Sequence, residues 1–327
     1  MNYRTALVMH EACGRHDTGW AHPEHMGRLP AVLNAIYRET PALLDHVLQQ
    51  EATFATSDDV LRAHSPHHLE RLRRAADFAI ERNAIVGMDS ETLVSPASWD
   101  AAMAAAGAAV TATKLVLEGS VPTAFALARP PGHHATEDIA MGFCLLNNVA
   151  IAARWARTQG LERVLIIDWD VHHGNGTQDI FYNDPSVYYL SLHQYPLYPG
   201  TGFPDERGAG AALNTNRNVQ VTAGTAGPKY IDLLSKALDA TMAEFEPELV
   251  FVSAGFDCLR GDPLGGLHLE PADLHAVTLL IRERCRSAGG RMVCTLEGGY
   301  APERVGLGVV DVLRALSELP PAETGRP

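Results

Sequence analysis

Residues 164–176 read VLIIDWDVHHGNG, an apolar run that ends in a cluster of acids and histidines. The run from Val164 to Asp168 is apolar on both faces, which is typical of a strand buried in a parallel sheet. Carboxylates beside a buried strand cost several kcal/mol unless they are paired or bind a metal. The stretch therefore predicts a buried parallel strand with a cation at its carboxyl end.

Further apolar runs of this kind alternate along the chain with helical patterns. The other predicted strands are residues 5–10, 123–128, 187–193, 249–254 and 291–296. The predicted helices are residues 66–83, 96–117, 147–158, 228–245, 271–288 and 302–316. Five of these six patterns begin at a proline, a residue favoured in the first turn of a helix. The alternation predicts a doubly wound α/β sheet. We expect one domain over residues 1–327, with a frayed tail from about residue 320.

Polar side chains follow the predicted strands at the points where the strands end. They are His10, Arg129 to His134, Asp168 to His172, His193, Asp257, and Glu297 to Tyr300. In open α/β sheets, ligands bind outside the carboxyl ends of the strands. The sequence therefore predicts that these residues converge on one edge of the sheet.

A metal site is the most specific chemistry that these residues suggest. With the period-two geometry of a strand, Asp170 and His172 would lie on the same side as Asp168. Asp257 adds a third ligand from another strand end. Three protein ligands with a fourth position open to water are typical of a catalytic zinc, whereas cysteines usually close a structural site. The alternative is that these acids are solvated loop residues. The Asp-x-His motif by itself does not exclude this alternative, but the position of Asp257 at another strand end weakens it.

Two adjacent histidines, His133 and His134, follow a rigid Pro-Pro-Gly turn after a predicted strand. Imidazoles titrate near neutrality, so such a pair beside an activated water would serve as general base and general acid. Tyr300 follows two glycines, and its hydroxyl is able to donate to a developing oxyanion. The competing interpretations are a surface histidine pair and a tyrosine packed in a loop.

The composition restricts the partners and the location of the protein. The chain has 26 basic and 39 acidic side chains, and its formal net charge is −13. Nucleic acid is therefore not an expected partner, whereas lysine-rich peptides or polyamines are compatible with this charge. The five cysteines form no Cys-x-x-Cys pair, so neither a disulfide framework nor a zinc ribbon is expected. The sequence shows no signal peptide or membrane span, and we expect a cytoplasmic protein without a membrane partner.

Longer motifs resemble the histone deacetylase family, which has the arginase/deacetylase fold, and are closest to its class II branch. They lie in the family's order over nearly the whole chain: HPEHMGRL (22–29), RPPGHHA (129–135), GFCLLNNVAIAA (142–153), IIDWDVHHGNGTQ (166–178), DPSVYYLSLH (184–193), YPGTG (198–202), PELVFVSAGFDCLRGDPLGG (247–266) and LEGGY (296–300). The resemblance implies a mostly parallel eight-stranded sheet flanked by helices. It also implies a zinc-dependent deacetylase that acts on acetylated lysine peptides, proteins or small amines.

The resemblance also implies a role for each matching position. The catalytic and zinc-binding matches are Asp170, His172 and Asp257 as zinc ligands, His134 as principal general base and acid, His133 as its electrostatic companion oriented by Asp168, Asn175 beside His134, and Tyr300 as the oxyanion-stabilising phenol. The matches in the acyl-lysine tunnel and at its rim are Gly142, Phe143, Tyr198, Leu264 and Asp89, with Arg28 near the product-release channel.

The family binds monovalent cations as well, so the resemblance implies structural K⁺ or Na⁺. The first site, close to the zinc, would involve Asp168, Asp170, His172, Ser191 and Leu192. A second and more distant site would involve Phe181, Asp184 and Val187.

Two positions differ from other branches of the family. Asn175 stands where those branches carry an Asp beside His134, and a neutral amide orients an imidazole without raising its pKa as a carboxylate would. Class II members share this Asn, so the resemblance still implies activity. Tyr198 occupies a tunnel position where Phe is common, which leaves the preferred acyl group open.

Several functions stay open at this point. The first is an acetyl-lysine deacetylase, and the second is an acetylpolyamine amidohydrolase. Polyamine-selective relatives can carry an acidic gatekeeper at the position of Leu264, which disfavours the second. The related arginases need an Asp-x-Asp pair, and this chain offers Asp257 alone there. A non-catalytic acyl-lysine module is disfavoured because Tyr300 and both histidines are present. The oligomeric state, including a homo-oligomer, also stays open.

Overall fold

An eight-stranded sheet forms the centre of the protein in a computed structural model, which describes residues 3–323. Its strands are β1 (Thr5–Met9), β2 (Val47–Glu51), β5 (Thr123–Ala126), β6 (Val164–Asp168), β7 (Val187–Gln194), β8 (Asn216–Val221), β9 (Leu249–Ala254) and β10 (Met292–Leu296). Two short strands, β3 (Val86–Gly87) and β4 (Leu93–Val94), pair antiparallel outside it. The order across the main sheet is β2-β1-β5-β10-β9-β6-β7-β8, and every neighbouring pair is parallel.

Helices cover both faces of this sheet. They are α1 (Arg28–Arg38), α2 (Thr40–Leu43), α3 (Ser57–Val60), α4 (Pro66–Arg82), α5 (Ser98–Leu117), α6 (Asn148–Thr158), α7 (Asn175–Phe181), α8 (Gly227–Glu244), α9 (Pro271–Arg284) and α10 (Pro302–Leu316). Short 3₁₀ helices span Glu11–Arg15, Gly210–Ala212 and Arg286–Ala288. The six predicted helices are confirmed, although the pattern predicted for 271–288 ends its α-helical part at Arg284.

Apolar side chains of the central strands point alternately into two cores. Leu165 and Ile167 belong to the core shared with α1, α8, α9 and α10. Val164 and Ile166 belong to the core shared with α4, α5 and α6. Burial on both faces explains why the central strands read as unbroken apolar runs, and it confirms the predicted doubly wound architecture.

The two main-sheet strands that the sequence pattern did not predict are the edge strands β2 and β8. Their sequences are VLQQE and NRNVQV; part of the first strand is exposed, and half of the second is only partly buried. An edge strand has one neighbour and touches less of the core, so polar residues are tolerated there. Apolar runs therefore reveal the six inner strands and miss the two outer ones.

Helix α5 is rich in alanine and packs inside the fold. By length and composition it is long and apolar enough to cross a membrane, with a mean hydropathy of 1.3. This differs from the expectation that no segment of the chain resembles a membrane span. About 67% of it is buried in this fold. A Cβ at Gly107 would lie 1.9 Å from the carbonyl oxygen of Thr53, so the small residues serve close packing. These are the features of a core helix.

Part of the predicted tail is anchored. The carbonyl oxygen of Pro320 accepts a hydrogen bond from Arg314 Nε at 2.6 Å, and the Ala322 amide donates to Asp311 Oδ1 at 2.7 Å. Backbone groups of residues 320 and 322 thus have partners on α10, and a flexible tail stays a prediction. Residues 324–327 lie outside the described part of the chain.

Four neighbouring strands carry the predicted site residues at their carboxyl ends. β5 leads into Arg129 to His134, and β6 leads into Asp168 to His172. β9 precedes Asp257, and β10 precedes Glu297 to Tyr300. These strands are adjacent in the order β5-β10-β9-β6, so the loops that follow them meet at one edge of the sheet.

Candidate active site

Three predicted metal ligands meet at this edge. One potential ligand atom from each of Asp170, His172 and Asp257 lies within 4.8 Å of the other two, and all three residues are buried. His172 Nδ1 lies 3.1 Å from Asp170 Oδ1 and 3.1 Å from Asp257 Oδ2. The grouping joins the loop after β6 to the loop after β9, as the sequence predicts.

Backbone groups orient the two carboxylates toward each other. The Val171 amide donates to Asp257 Oδ1 at 2.9 Å, and the Gly298 amide donates to Asp170 Oδ2 at 2.9 Å. A Cβ at Gly298 would lie 2.2 Å from Asp257 Oδ2 and 2.6 Å from Asp170 Oδ2. Any other residue at 298 would therefore push into the space between the carboxylates, which explains this glycine of the LEGGY motif.

The electrostatics of the three residues fit a bound cation. Burial and the nearby charge of Asp170 raise the pKa of Asp257 to about 7. Within residues 3–323, no Lys or Arg side chain forms an ion pair with Asp170 or Asp257. The two carboxylates pair only with the histidines His133 and His172 in this part of the chain. Two buried carboxylates and one imidazole are a donor set that suits zinc, and a cation there would offset the repulsion between the two carboxylates.

His133 is held by a buried carboxylate at the end of β6. Its Nδ1 lies 3.0 Å from Asp168 Oδ2, which also accepts a hydrogen bond from the Tyr189 hydroxyl at 3.0 Å. Burial alone lowers the pKa of His133, but the charges of Asp170 and Asp168 raise it well above its ordinary value. His133 is thus suited to carry a positive charge beside the cavity. Tyr189 was not predicted as a site residue, because it lies within the apolar strand β7.

His134 has the opposite character. Its Nδ1 lies 2.8 Å from the amide oxygen of Asn175, an acceptor, so Nδ1 carries the proton and Nε2 is left with a free lone pair. Burial, together with His133 and His172, lowers the pKa of His134 well below its ordinary value. The two imidazole centroids lie 4.1 Å apart. The pair therefore combines one cationic and one neutral imidazole.

A cavity of about 240 Å³ opens above these groups. Its lining residues are Glu91, His134, Gly142, Phe143, His172, Leu197, Tyr198, Leu264 and Tyr300. The Phe143 and Tyr300 rings meet edge to face with centroids 5.6 Å apart, and the Tyr198 ring lies 5.1 Å from His134. Burial raises the pKa of Tyr300 well above its ordinary value, so its hydroxyl stays protonated as a donor.

Comparison with known proteins agrees with this site. The family model described as histone deacetylase domain matches residues 22–316. A probable deacetylase of Archaeoglobus fulgidus is 36% identical over 302 residues, covering 91% of this chain and 82% of that protein. A histone deacetylase-like amidohydrolase of Pseudomonas aeruginosa is 34% identical over 339 residues, covering 96% of this chain and 87% of that protein. The crystal structure of the HDA15 HD domain matches with a TM-score of 0.90 at 34% identity, covering 98% of this chain and 90% of that chain.

The chain belongs to the histone deacetylase family. The eight-stranded parallel sheet flanked by helices confirms the arginase/deacetylase fold. The relatives named deacetylase and amidohydrolase support a hydrolase with deacetylase function. The family also implies a zinc ion, for which Asp170, His172 and Asp257 are the candidate ligands.

Two acidic residues, Asp89 and Glu91, lie in the loop beside the cavity, and Glu91 rather than the predicted Asp89 lines it. Asp89 Oδ1 accepts hydrogen bonds from the amides of Glu91 and Thr92 at 2.8 and 2.5 Å, and Asp89 Oδ2 accepts one from the Thr92 hydroxyl at 3.2 Å. Asp89 is absent from the described lining of the cavity, whereas Glu91 is part of it. Glu91 was not predicted as a site residue. A substrate-binding role for Asp89 stays a prediction.

Arg28 lies behind Tyr300 in a buried network. Its guanidinium carbon is 5.0 Å from the centre of the Tyr300 ring, and its Nε donates to the Gly299 carbonyl oxygen at 2.6 Å. Glu24 joins Arg28 to Arg129, with Glu24 Oε1 2.9 Å from Arg28 Nη1 and 2.7 Å from Arg129 Nε. Glu24 was not predicted as a site residue, and its contact with Arg129 joins positions 105 apart in the sequence. The network fixes the loop that carries Tyr300.

Glu297 anchors the turn before His133 and His134. Its Oε2 accepts hydrogen bonds from the amides of Gly132 and His133 at 2.6 and 3.1 Å, and its Oε1 accepts one from the Ser253 hydroxyl at 3.1 Å. Burial raises its pKa to about 7 although His133 opposes this. Glu297 thereby ties the loop after β10 to the loop after β5.

Replacing Glu297 tests this anchor. Glu297→Ala leaves two buried amides without an acceptor, and we expect the free energy of unfolding to fall by about 2 to 4 kcal/mol. Glu297→Gln keeps one oxygen for both amides and offers its NH₂ to Ser253, so it should lose much less. Chemical denaturation and kcat of both variants measure the difference. Equal stability of the two would show that the anchor is unimportant.

A second buried group, His64, braces the loop that forms one cavity wall. His64 Nε2 accepts a hydrogen bond from the Asn147 amide at 2.8 Å, and its Nδ1 lies 3.3 Å from the Glu137 carbonyl oxygen. The neighbouring His68 Nε2 lies 2.8 Å from the Leu145 carbonyl oxygen. These contacts hold both sides of the loop that contains Gly142 and Phe143. Sequence spacing gave no sign of them, since the partners are more than 70 positions apart.

The residues predicted to bind monovalent cations have protein partners in the structure. Ser191 Oγ lies 2.8 Å from His193 Nδ1, and the Leu192 carbonyl oxygen accepts the Tyr230 hydroxyl at 3.3 Å. At the second position, the Asp184 carboxylate pairs with Arg154, whose guanidinium lies 4.8 Å from the centre of the Phe181 ring. The Asp184 carbonyl oxygen accepts the Val187 amide at 3.3 Å. Cation binding at both positions stays a prediction.

Proposed function

We propose that this protein is a zinc-dependent amidohydrolase that removes acetyl groups from the side-chain amine of lysine in proteins or small molecules and releases acetate. The observation that carries the proposal is the convergence of the Asp170, His172 and Asp257 cluster, the neutral His134 and the Tyr300 hydroxyl around one cavity. This combination provides a cation site, a base and an oxyanion donor for amide hydrolysis.

Asp170, His172 and Asp257 would hold the zinc. When bound, zinc supplies Lewis-acid polarisation of the amide carbonyl and lowers the pKa of water. The buried position of these ligands, with backbone amides fixing both carboxylates, favours a preorganised site.

The proton transfers fall to the paired histidines. His134 has a free lone pair on Nε2, and it lines the cavity. It therefore takes a proton from the attacking water. It then returns this proton to the amine nitrogen as the carbon–nitrogen bond breaks. His133, held by Asp168, keeps a positive charge nearby and stabilises the negative charge that develops.

Tyr300 and the cavity wall complete the reaction. The Tyr300 hydroxyl donates to the carbonyl oxygen as this oxygen gains negative charge. Phe143, Tyr198 and Leu264 form apolar surfaces that suit the aliphatic arm of an acylated amine. We also propose, as the family resemblance implies, that Arg28 lies near the channel through which the acetate product leaves; its guanidinium carbon is 5.0 Å from the centre of the Tyr300 ring.

We also propose a cytoplasmic location and structural monovalent cations. All five cysteines are free and buried, which is compatible with a reducing cytoplasm. We retain K⁺ or Na⁺ near Ser191 and Leu192, and near Phe181, Asp184 and Val187, as structural ions to be tested by metal analysis. Acetylated lysine substrates, rather than nucleic acid or membranes, are the partners we propose.

The proposal is tested by the turnover of an acetyl-lysine peptide and of acetylated spermidine and putrescine, with metal content measured in parallel. We expect hydrolysis by the zinc-loaded protein and loss of activity after removal of zinc by a chelator. If the zinc-loaded protein hydrolyses none of these amides, the enzyme proposal fails. Faster hydrolysis of the acetylated polyamines would favour the acetylpolyamine alternative.

A further inference from the structure

The side-chain amide of Asn175 has two ends that are similar in shape and opposite in hydrogen bonding. Its oxygen lies 2.8 Å from His134 Nδ1, and its NH₂ group donates to the sulfur of Met141 at 3.4 Å. Among residues 3–323, His134 and Met141 are the two hydrogen-bond partners of this side chain. In this part of the chain, the Met141 sulfur is therefore the one acceptor for the NH₂ end.

The end of the amide that faces His134 decides what this histidine is able to do. With the oxygen toward the ring, Nδ1 carries the proton, and Nε2 keeps a free lone pair for the proton of the attacking water. With the NH₂ group toward the ring, Nδ1 has to accept, so the proton of the neutral imidazole lies on Nε2 and this lone pair is lost. The orientation of the Asn175 amide therefore decides whether His134 is a base toward the cavity.

Met141 belongs to a tight turn that also packs against His134. The Met141 amide donates to the Cys144 carbonyl oxygen at 3.2 Å, and the Cys144 amide donates to the Met141 carbonyl oxygen at 2.9 Å. The two residues between them, Gly142 and Phe143, have φ angles of 55° and 68°, as a type I′ turn requires. A Cβ at Gly142 would lie 2.5 Å from His134 Cδ2. The turn thus fixes the backbone of Met141 relative to the imidazole.

We propose that Met141 is a positioning residue whose sulfur accepts the NH₂ group of Asn175 and thereby keeps the amide oxygen on His134. The inference rests on the amidohydrolase function proposed above. In the reversed orientation the amide oxygen would face the sulfur, and this pair would contain two acceptors and no donor. The hydrogen bond is lost in that orientation, so the sulfur favours the one in which His134 is a base.

Met141→Leu tests the proposal, because it removes the acceptor and nearly conserves the volume of the side chain. The substrate is whichever acetylated amine the unmodified zinc-loaded protein hydrolyses fastest. We expect kcat to fall about three- to tenfold, the factor that one weak hydrogen bond supplies, with KM changed by less than about twofold. The ¹⁵N chemical shifts of the His134 ring should show a new population that is protonated at Nε2. Met242→Leu, at another half-buried methionine, is the matched control and should change neither measurement.

Asn175→Asp separates positioning from packing. A carboxylate offers an oxygen to His134 in either orientation, so it has no orientation to lose. In the Asn175→Asp background, whatever its own activity, Met141→Leu should therefore change kcat by less than about twofold. The double-mutant cycle measures how far the effect of Met141 depends on the amide.

Three results would overturn the inference. They are a full kcat in Met141→Leu, an equal fall in kcat in both backgrounds, and an unchanged position of the His134 proton in Met141→Leu. An equal fall would assign Met141 to packing alone. If the unmodified zinc-loaded protein hydrolyses no acetylated amine, the amidohydrolase function fails, and the ¹⁵N shifts by themselves decide whether Met141 orients the amide.

Discussion

Asp257→Asn is expected to lose zinc and to reduce kcat/KM by at least about 10³-fold, because metal polarisation supplies several kcal/mol of transition-state stabilisation. An amide replaces one of two charged ligands, while its oxygen is still able to accept the Val171 amide that now donates to Asp257 Oδ1 at 2.9 Å. The fold should therefore survive. Elemental analysis and steady-state kinetics measure the effect, and Asp205→Asn, at an exposed position, is the control.

In the absence of metal, we expect the Asp257→Asn variant to be more stable than the unmodified protein at neutral and alkaline pH. The pKa of Asp257 in the folded metal-free protein is raised to about 7, so the unfolded chain releases this proton at lower pH. The unfolding free energy of the metal-free protein should thus fall as pH rises from about 4 to about 7 and stay low above that. At pH 8 the metal-free Asp257→Asn variant should be the more stable protein. A less stable variant would indicate that Asp257 serves the fold and not a cation.

Tyr300→Phe is expected to lower kcat by about 10² to 10³-fold with little change in KM or zinc content. The substitution removes the hydroxyl donor alone. The ring should keep its place, because Arg28 lies 5.0 Å from its centre, Phe143 contacts its edge, and the Tyr300 amide donates to Asp262 Oδ2 at 2.6 Å. Steady-state kinetics with zinc analysis and a denaturation curve give the result.

Tyr198→Phe is the matched control for this prediction. Tyr198 lines the same cavity and also has a hydroxyl group, but its ring packs at 5.1 Å from His134 as part of the wall. We expect its kcat to change by less than about threefold. A Tyr300→Phe variant that kept its full kcat would exclude the oxyanion role, and equal losses in both variants would assign the effect to the wall.

Much of the site was accessible from sequence because its residues follow strands that are buried on both faces. A short distance after an apolar run stand the residues Asp170, His172, His133 and Tyr300. An apolar run of this kind indicates both the strand and the place where the strand ends. The long-range contacts that support them were not accessible in this way. Glu297 contacts Gly132 across 165 positions of sequence, a relation that no local pattern encodes.

The sequence by itself determined the inner strands, most of the helices and the kinds of chemical group that follow the strands, since apolar periodicity and residue type are local properties. The tertiary structure alone decided the order β5-β10-β9-β6, which brings Asp257 to His172 and Tyr300 to the same cavity. It also decided the opposite pKa shifts of the two histidines, because the charges of Asp170 and Asp168 raise the pKa of His133, whereas burial, His133 and His172 lower that of His134. Strand order and long-range hydrogen bonds depend on packing between elements, which no local sequence pattern encodes. The same packing decides that Glu91 rather than Asp89 lines the cavity.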